Sequence, residues 1–312
     1  MLALEPKTFA VDLPLTRLHV MEVGSGTPAL LLPATISRLE DWQPLTQFIG
    51  QYYRTFFFEL PGHGGSAPFA GAYSSDLTAQ TIESLLDALE IDQVTLIGFS
   101  FGGILTMKTM HRIPERIKSL VLLAPCIGPT TLTYSPERQQ LMHGLIRLLR
   151  QDWVQERFLA LLHHPFWGRL AADIIIRLGN LEYPELLRHR LATLSRTTLD
   201  VLTCQMEEIL TVQFPDLPLP YAQHCYLAMS VNDPILKFSH AYSFLTKAFQ
   251  EVQLTLFTHP YHQPPRKLSL TDYNRQYGRL LRAIRDAEVG ERIQWEVGRT
   301  ANNAGPVGRT AL

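Results

Sequence analysis

Cysteine is scarce in this chain. Cys126, Cys204 and Cys225 are an odd, widely scattered set within 312 residues. They show neither metal-ligand spacing nor the look of a disulfide framework, so a reducing, cytoplasmic setting is expected. Charge of one sign is lacking as well. Lys and Arg total 28 against 29 Asp and Glu, a formal net charge of −1, so no global basic field attracts nucleic acid or an acidic membrane surface. Long apolar runs are absent. LLL at 30–32, SLVLLAP at 119–125 and DIIIRL at 173–178 fall far short of the roughly 20 residues that a membrane span needs. The opening MLALEPKTFAVDLP carries acidic residues and no continuous apolar stretch, and a signal peptide is not expected there. G-x-G-x-x-G and P-loop patterns do not occur. Gly24-Ser25-Gly26 sits between two apolar runs and not before a helix, so it is a turn, and no nucleotide, flavin or other cofactor is expected.

What is present is ordinary globular material. Hydrophobic residues make up 46% and charged residues 18%, enough to build the core of one large domain or of a domain with an insertion. Short β-prone runs at Leu18–Val23, Ala29–Leu32, Tyr53–Leu60, Val94–Ile97 and Ser119–Ala124 alternate with helical patterns. One such pattern, Leu77–Leu89, places Ile82, Leu85, Leu86 and Leu89 on one face at core-packing spacing. This alternation implies βαβ units and a mostly parallel sheet flanked by helices, an α/β fold. The GSGTP link between the first two runs is too short for a crossover helix and suggests an antiparallel pair there.

From about residue 135 to 216 the alternation gives way to helices rich in Leu, Arg and His, with PFW and YPE as breaks. Strands resume at Cys225–Met229 and Val252–Phe257, followed by an amphipathic helix around Tyr273–Ile284. The expected organisation is a core from 1–125 and 220–289. A helical cap over 126–219 is inserted between the sixth and seventh strands. The segment 290–312 holds VGRTA twice, at 297–301 and 307–311, too few copies for a repeat architecture, and a disordered tail is expected there.

The strongest local signal is Gly98-Phe99-Ser100-Phe101-Gly102, a G-x-S-x-G pattern between a β-prone run and a helix-compatible one. Such an elbow strains its central residue and needs small neighbours so that backbones can pass closely. A serine hydroxyl becomes nucleophilic only when a base removes its proton, and the base needs an orienting partner. With this elbow the chain order is Ser, acid, His. Asp233, in Ser230-Val-Asn-Asp-Pro234 just past a strand, is the candidate acid. His259 and His262 in LTLFTHPYHQPP are the candidate bases, and His262 is preferred for its reach. An oxyanion hole requires two convergent N–H groups. Phe101 supplies one, and Thr35, in the loop Pro33-Ala34-Thr35-Ile36, is the candidate for the other. His163-His164 lacks i, i+4 ligand spacing, and no metal is expected.

Together these residues resemble the α/β-hydrolase superfamily, in particular its cap-containing esterases, C–C hydrolases and cofactor-free haloperoxidase-like members. The resemblance runs from about Leu18 to Ala287 and includes Leu60-Pro-Gly-His-Gly-Gly-Ser66, Leu39-Glu-Asp-Trp42, the GFSFGG elbow, SVNDP and HPYHQPP. Aligning LTLFTHPYHQ with the family's last strand and its usual Gly-His also selects His262, with Tyr261 in the glycine's place. LPGHGGS occurs too in a compact menaquinone-pathway synthase branch, whose activity is not carried over to a chain with a large insertion. Three departures stand out: Pro33-Ala34 where the family usually has His-Gly, Glu59 for a more usual Asp, and Ser230 for a frequent glycine. The resemblance implies Ser–His–Asp hydrolysis of a small or medium apolar ester or related carbonyl compound. Trp153, Phe158, Phe166 and Trp167 are the aromatics that would line a pocket under the cap. A non-catalytic ligand-binding protein, or a lyase or acyltransferase using the same elbow, are the alternatives.

Overall fold

A computed structural model of the chain describes residues 4–179, 184–215, 219–264 and 266–288; the expected tail lies outside them. Eight strands and ten α-helices follow one another among the described residues. The first half contains β1 (Lys7–Asp12), β2 (Arg17–Val23), β3 (Pro28–Leu32), α1 (Leu39–Ile49), β4 (Arg54–Phe58), α2 (Ser75–Ala88), β5 (Val94–Phe99), α3 (Gly102–Arg112) and β6 (Ile117–Leu123). Then come α4 (Pro136–Leu149), α5 (Asp152–His163), α6 (Trp167–Gly179), α7 (Pro184–Ala192) and α8 (Arg196–Thr211). The sheet closes with β7 (His224–Ser230), α9 (Phe238–Ala248), β8 (Val252–Phe257) and α10 (Leu270–Glu288).

The strands form one sheet in the order β1-β2-β4-β3-β5-β6-β7-β8. From β4 to β8 all neighbours are parallel. The inner strands are nearly continuous apolar runs because both faces are covered. Alternate residues serve two cores, as the two-residue period of a strand demands. Leu30, Phe56, Leu96, Leu120 and Leu227 face α2, α3 and α9, whereas Leu31, Phe57, Ile97, Val121 and Tyr226 face α1 and α10.

One expectation about the N-terminal edge needs correction. β2 and β3 do not pair with each other; β2 runs antiparallel to β1 and β4, and β4 separates it from β3. Strands two places apart are roughly 10 Å from one another, a gap that the GSGTP link can span without making them neighbours. The strand β1 was not anticipated. It is an edge strand with four of its six residues exposed, and its polar, short pattern carries little hydrophobic signal.

Helices α4–α8 interrupt the sheet between β6 and β7 and hold a small apolar cluster of their own, centred on Leu159, Leu162, Leu194 and Leu199. They are fastened to the segments that follow β3 and β4: the first turns of α1 and α2, and the loop at Gly62. Arg190 pairs with Asp41 at 2.7 Å, Thr198 Oγ1 donates to Gly62 O at 3.2 Å, and Glu208 accepts the Ser75 N–H at 2.8 Å. The open ends of β3 and β4 therefore lie beside this helical layer, where ligands bind in open α/β sheets.

Candidate active site

The elbow joins β5 to α3. Ser100 holds φ at +52°, a left-handed conformation that costs a non-glycine residue roughly 1–2 kcal/mol. Neighbouring atoms leave no space beside it. A Cβ on Gly98 would lie 2.3 Å from Thr106 Oγ1, and one on Gly102 would lie 2.3 Å from Leu32 O. The two flanking glycines thus let the turn press against α3 and the end of β3. The Ser100 N–H donates to Leu123 O at 3.1 Å, and Ser100 O accepts from Gly103 N at 2.8 Å and Cys126 N at 2.9 Å. The turn is consequently tied to the end of β6 as well as to its own helix.

The two other side chains arrive from the ends of β7 and β8. His262 Nε2 is 2.9 Å from Ser100 Oγ, and His262 Nδ1 is 2.7 Å from Asp233 Oδ2. The carboxylate can only accept, so Nδ1 carries the ring proton and Nε2 presents its lone pair to the serine hydroxyl. Asp233 and His262 are each 7% exposed, which keeps this hydrogen-bonded chain out of water. The other carboxylate oxygen accepts the Ile235 and Leu236 N–H groups, both at 2.9 Å. Burial pushes the Asp233 carboxyl upward, but the His262 hydrogen bond and charge, with the two backbone N–H groups, outweigh it and hold the group below the usual range. The Phe99 ring stacks on His262 with centroids 5.5 Å apart and limits its rotation. His259, the other candidate, is engaged elsewhere. Its Nδ1 faces Tyr261 O at 3.0 Å, and its ring stacks between Phe257 and Tyr261.

Thr35 is half-buried in the loop after β3, and Phe101 is the residue preceding α3. Neither N–H donates to an acceptor among the described residues. Leu32 O and Pro33 O both lie within 3.0 Å of the position a Gly102 side chain would occupy, so the Thr35 loop passes directly beside the elbow. The N-terminus of α3 adds the positive end of its dipole to this corner.

A family model described as the alpha/beta hydrolase fold matches residues 30–186, half of the chain. The chain belongs to the alpha/beta hydrolase fold family. Among curated proteins it is 32% identical over 111 residues to a poly(3-hydroxyalkanoate) depolymerase of Ectopseudomonas oleovorans, covering 36% of this chain and 39% of that protein. It is 30% identical over 112 residues to a 2-hydroxy-6-oxo-2,4-heptadienoate hydrolase of Pseudomonas putida, covering 35% and 40%. The chain thus spans about two fifths of the length of these curated relatives. Solved structures match over more of the chain. A meta-cleavage product hydrolase of Pseudomonas fluorescens is similar with a TM-score of 0.60 at 19% identity, over 91% of this chain and 97% of that one. An esterase of Thermogutta terrifontis gives 0.62 at 16%, over 92% and 100%. At such identities the structural likeness speaks to the fold.

Several residues of this hydrolase-fold chain that reading the sequence left without a task acquire one in the structure. Glu59 is 3% exposed and acts as a hub: Oε1 accepts the Leu39 N–H at 2.9 Å, capping α1, and Oε2 accepts Gly65 N–H at 2.6 Å. Ser230 Oγ donates to His259 O at 2.5 Å and accepts the Asn232 N–H at 3.2 Å, tying the Asp233 loop to the His262 loop. His164 Nδ1 accepts the Phe166 and Trp167 N–H groups at the start of α6. Glu59 and Ser230 stand out in the sequence as departures from the family pattern, but Leu39 and His259, which they bind, lie 20 and 29 residues away.

The aromatics of the helical insertion do not behave as expected. Trp153, Phe166 and Trp167 are 66%, 67% and 51% exposed, and only Phe158 packs inward, against the small cluster of α5 and α8. These helices pack against each other through Leu side chains, which leaves the wider rings outside. A cavity of about 490 Å³ lies by α3 and α9 between His111, Phe214, Tyr221 and Phe244 and touches none of Ser100, Asp233 or His262.

His63 shows a large shift. It is 1% exposed; burial, and then the Arg38 charge, lower its pKa from 6.5 to about 4. The unfolded chain therefore takes up a proton as pH falls below about 6.5, while the folded chain does not until about 4. The stability this provides is complete above pH 6.5, drains between the two values, and is gone below about 4. Its size is roughly 3 kcal/mol. Urea midpoints measured from pH 7 to 4 should fall less steeply in His63→Asn, whose side chain accepts a hydrogen bond but does not titrate. Parallel slopes in the two proteins would remove His63 as a source of acid sensitivity.

Proposed function

We propose that this chain is a serine hydrolase that cleaves a small or medium apolar ester, or a related carbonyl compound, through a covalent acyl-enzyme. The observation that carries the reading is the continuous hydrogen-bonded chain Ser100–His262–Asp233 on three separate loops of the sheet. His262 Nε2 takes the proton of Ser100 Oγ as that oxygen adds to the carbonyl carbon, and Asp233 stabilises the imidazolium that results. The negative charge on the former carbonyl oxygen is met by the Phe101 and Thr35 N–H groups and the N-terminus of α3. Collapse expels the leaving group, which receives the proton from His262. Water, deprotonated by His262, then adds to the acyl carbon, and the acid departs as Ser100 regains its proton.

In this reading helices α4–α8 and their flanks, 126–219, are a cap that shields the acyl-enzyme, with 1–125 and 220–289 as the core. The curated relatives are named for a polyester and for a 2-hydroxy-6-oxo-dienoate. Both contain a carbonyl carbon open to attack by the same serine. The site requires no cofactor for these steps, and the partner is a small molecule. No helix among the described residues is long and apolar enough to cross a membrane. Cys126, Cys204 and Cys225 are all free and buried, which supports a reducing, cytoplasmic location.

The test is turnover of p-nitrophenyl esters of increasing acyl length by the wild-type chain beside Ser100→Ala. Turnover that depends on Ser100 and peaks at a defined chain length is expected, and the peak sizes the acyl pocket. A folded wild-type protein that turns over none of the series, or an equally active Ser100→Ala, would overturn the reading.

A further inference from the structure

The loop that carries Thr35 has no glycine, yet its N–H must sit at a defined place relative to the elbow. Oxyanion donors work when preorganised about 2.7–3.1 Å from the developing charge. The peptide group two units further along the loop is held at both ends. The carbonyl of Ile36 accepts from Trp42 Nε1 at 2.9 Å, and the N–H on the other side of the same peptide, that of Ser37, donates to His63 Nδ1 at 3.2 Å. The Ser37 hydroxyl completes the clamp. Its oxygen accepts the Leu60 N–H at 2.7 Å and lies 3.0 Å from His63 Nδ1. Because Nδ1 receives the Ser37 N–H it bears no proton, and the Ser37 O–H donates to it too. The ring proton of His63 is then on Nε2, which is buried and has no partner among the described residues. Ser37 is itself fully buried, so water does not compete for these bonds.

We propose that His63 and Trp42 are positioning residues for the oxyanion site: by fixing the plane of the Ile36–Ser37 peptide they set the direction of the Thr35 N–H. Only the backbone torsions of Thr35 and Ile36 separate the clamped plane from that donor. In a loop of Pro33, Ala34 and Thr35 the clamp does the work that local backbone geometry does elsewhere. Neither residue is placed to touch substrate. The inference rests on the serine-hydrolase reading.

A donor aimed at the oxyanion acts in the transition state, so its misalignment should lower kcat and leave KM nearly unchanged. The experiment compares wild type, His63→Ala, His63→Asn and Trp42→Phe on the p-nitrophenyl ester that wild type turns over best. Each kcat is expressed per serine labelled by a fluorophosphonate. His63→Ala and Trp42→Phe are expected to lose about 10- to 100-fold in per-site kcat with KM within about 3-fold. His63→Asn, which keeps an acceptor for the Ser37 N–H, should recover most of the loss. Per-site kcat equal to wild type in both His63→Ala and Trp42→Phe, with fewer labelled serines, would overturn the proposal by showing a purely structural role. Should His63→Ala not fold, Trp42→Phe and His63→Asn decide in the same way. A wild-type chain with no Ser100-dependent turnover would instead remove the hydrolase reading, and this inference with it.

Discussion

Ser100→Ala is expected to lower kcat on an ester substrate by about 10⁴- to 10⁶-fold, and His262→Ala by a similar factor, because each removes one half of a single proton-transfer step. The double variant should be no worse than either alone. A serine without its base and a base without its serine are equally unable to form the acyl-enzyme, so the losses do not add. Products of the two single losses in the double variant would mean that Ser100 and His262 act independently, contrary to the 2.9 Å hydrogen bond between them. The same position offers a stability test. Alanine keeps the cost of φ +52°, whereas glycine does not, so Ser100→Gly should unfold later than Ser100→Ala by roughly 1 kcal/mol. Equal unfolding midpoints would show that the elbow stores no backbone strain.

Glu59→Ala is expected to cost about 2–4 kcal/mol of stability. The carboxylate serves Leu39 N–H and Gly65 N–H at once, and the Leu39 N–H would be left buried without an acceptor. The start of α1 would also lose its cap, since Arg38 offers no side-chain cap of its own. Glu59→Gln should be intermediate, since its amide has one acceptor oxygen for two donors. Glu59→Asp should also lose stability despite keeping its charge, because a chain one methylene shorter cannot reach both N–H groups. Urea midpoints read these differences directly. A Glu59→Ala chain as stable as wild type would show that the loop after β4 and the start of α1 find other acceptors, and that the carboxylate is dispensable.

The sequence by itself determined a good deal here, and the reason is that it was local. Alternating apolar runs marked the inner strands because each residue of a doubly covered strand faces one of two cores. Residues 98–102 marked the elbow because a tight turn is made by adjacent residues. Asp233 and His262 stood out because each follows a strand end in the chain order, Ser then acid then His, that goes with such an elbow. Other matters were decided only when distant segments met. The sequence already favours His262 over His259, but what holds His259 aside, its stacking between Phe257 and Tyr261, and what steadies His262, the Phe99 ring, appear only in the fold. The insertion of β4 between β2 and β3 depends on the path of α1 over the sheet. The exposure of Trp153, Phe166 and Trp167 follows from which helix faces pack together. Glu59, His63 and Ser37 took their tasks from partners 6 to 26 residues away. A side chain's neighbours through space are set by the fold as a whole, and no window of sequence contains them.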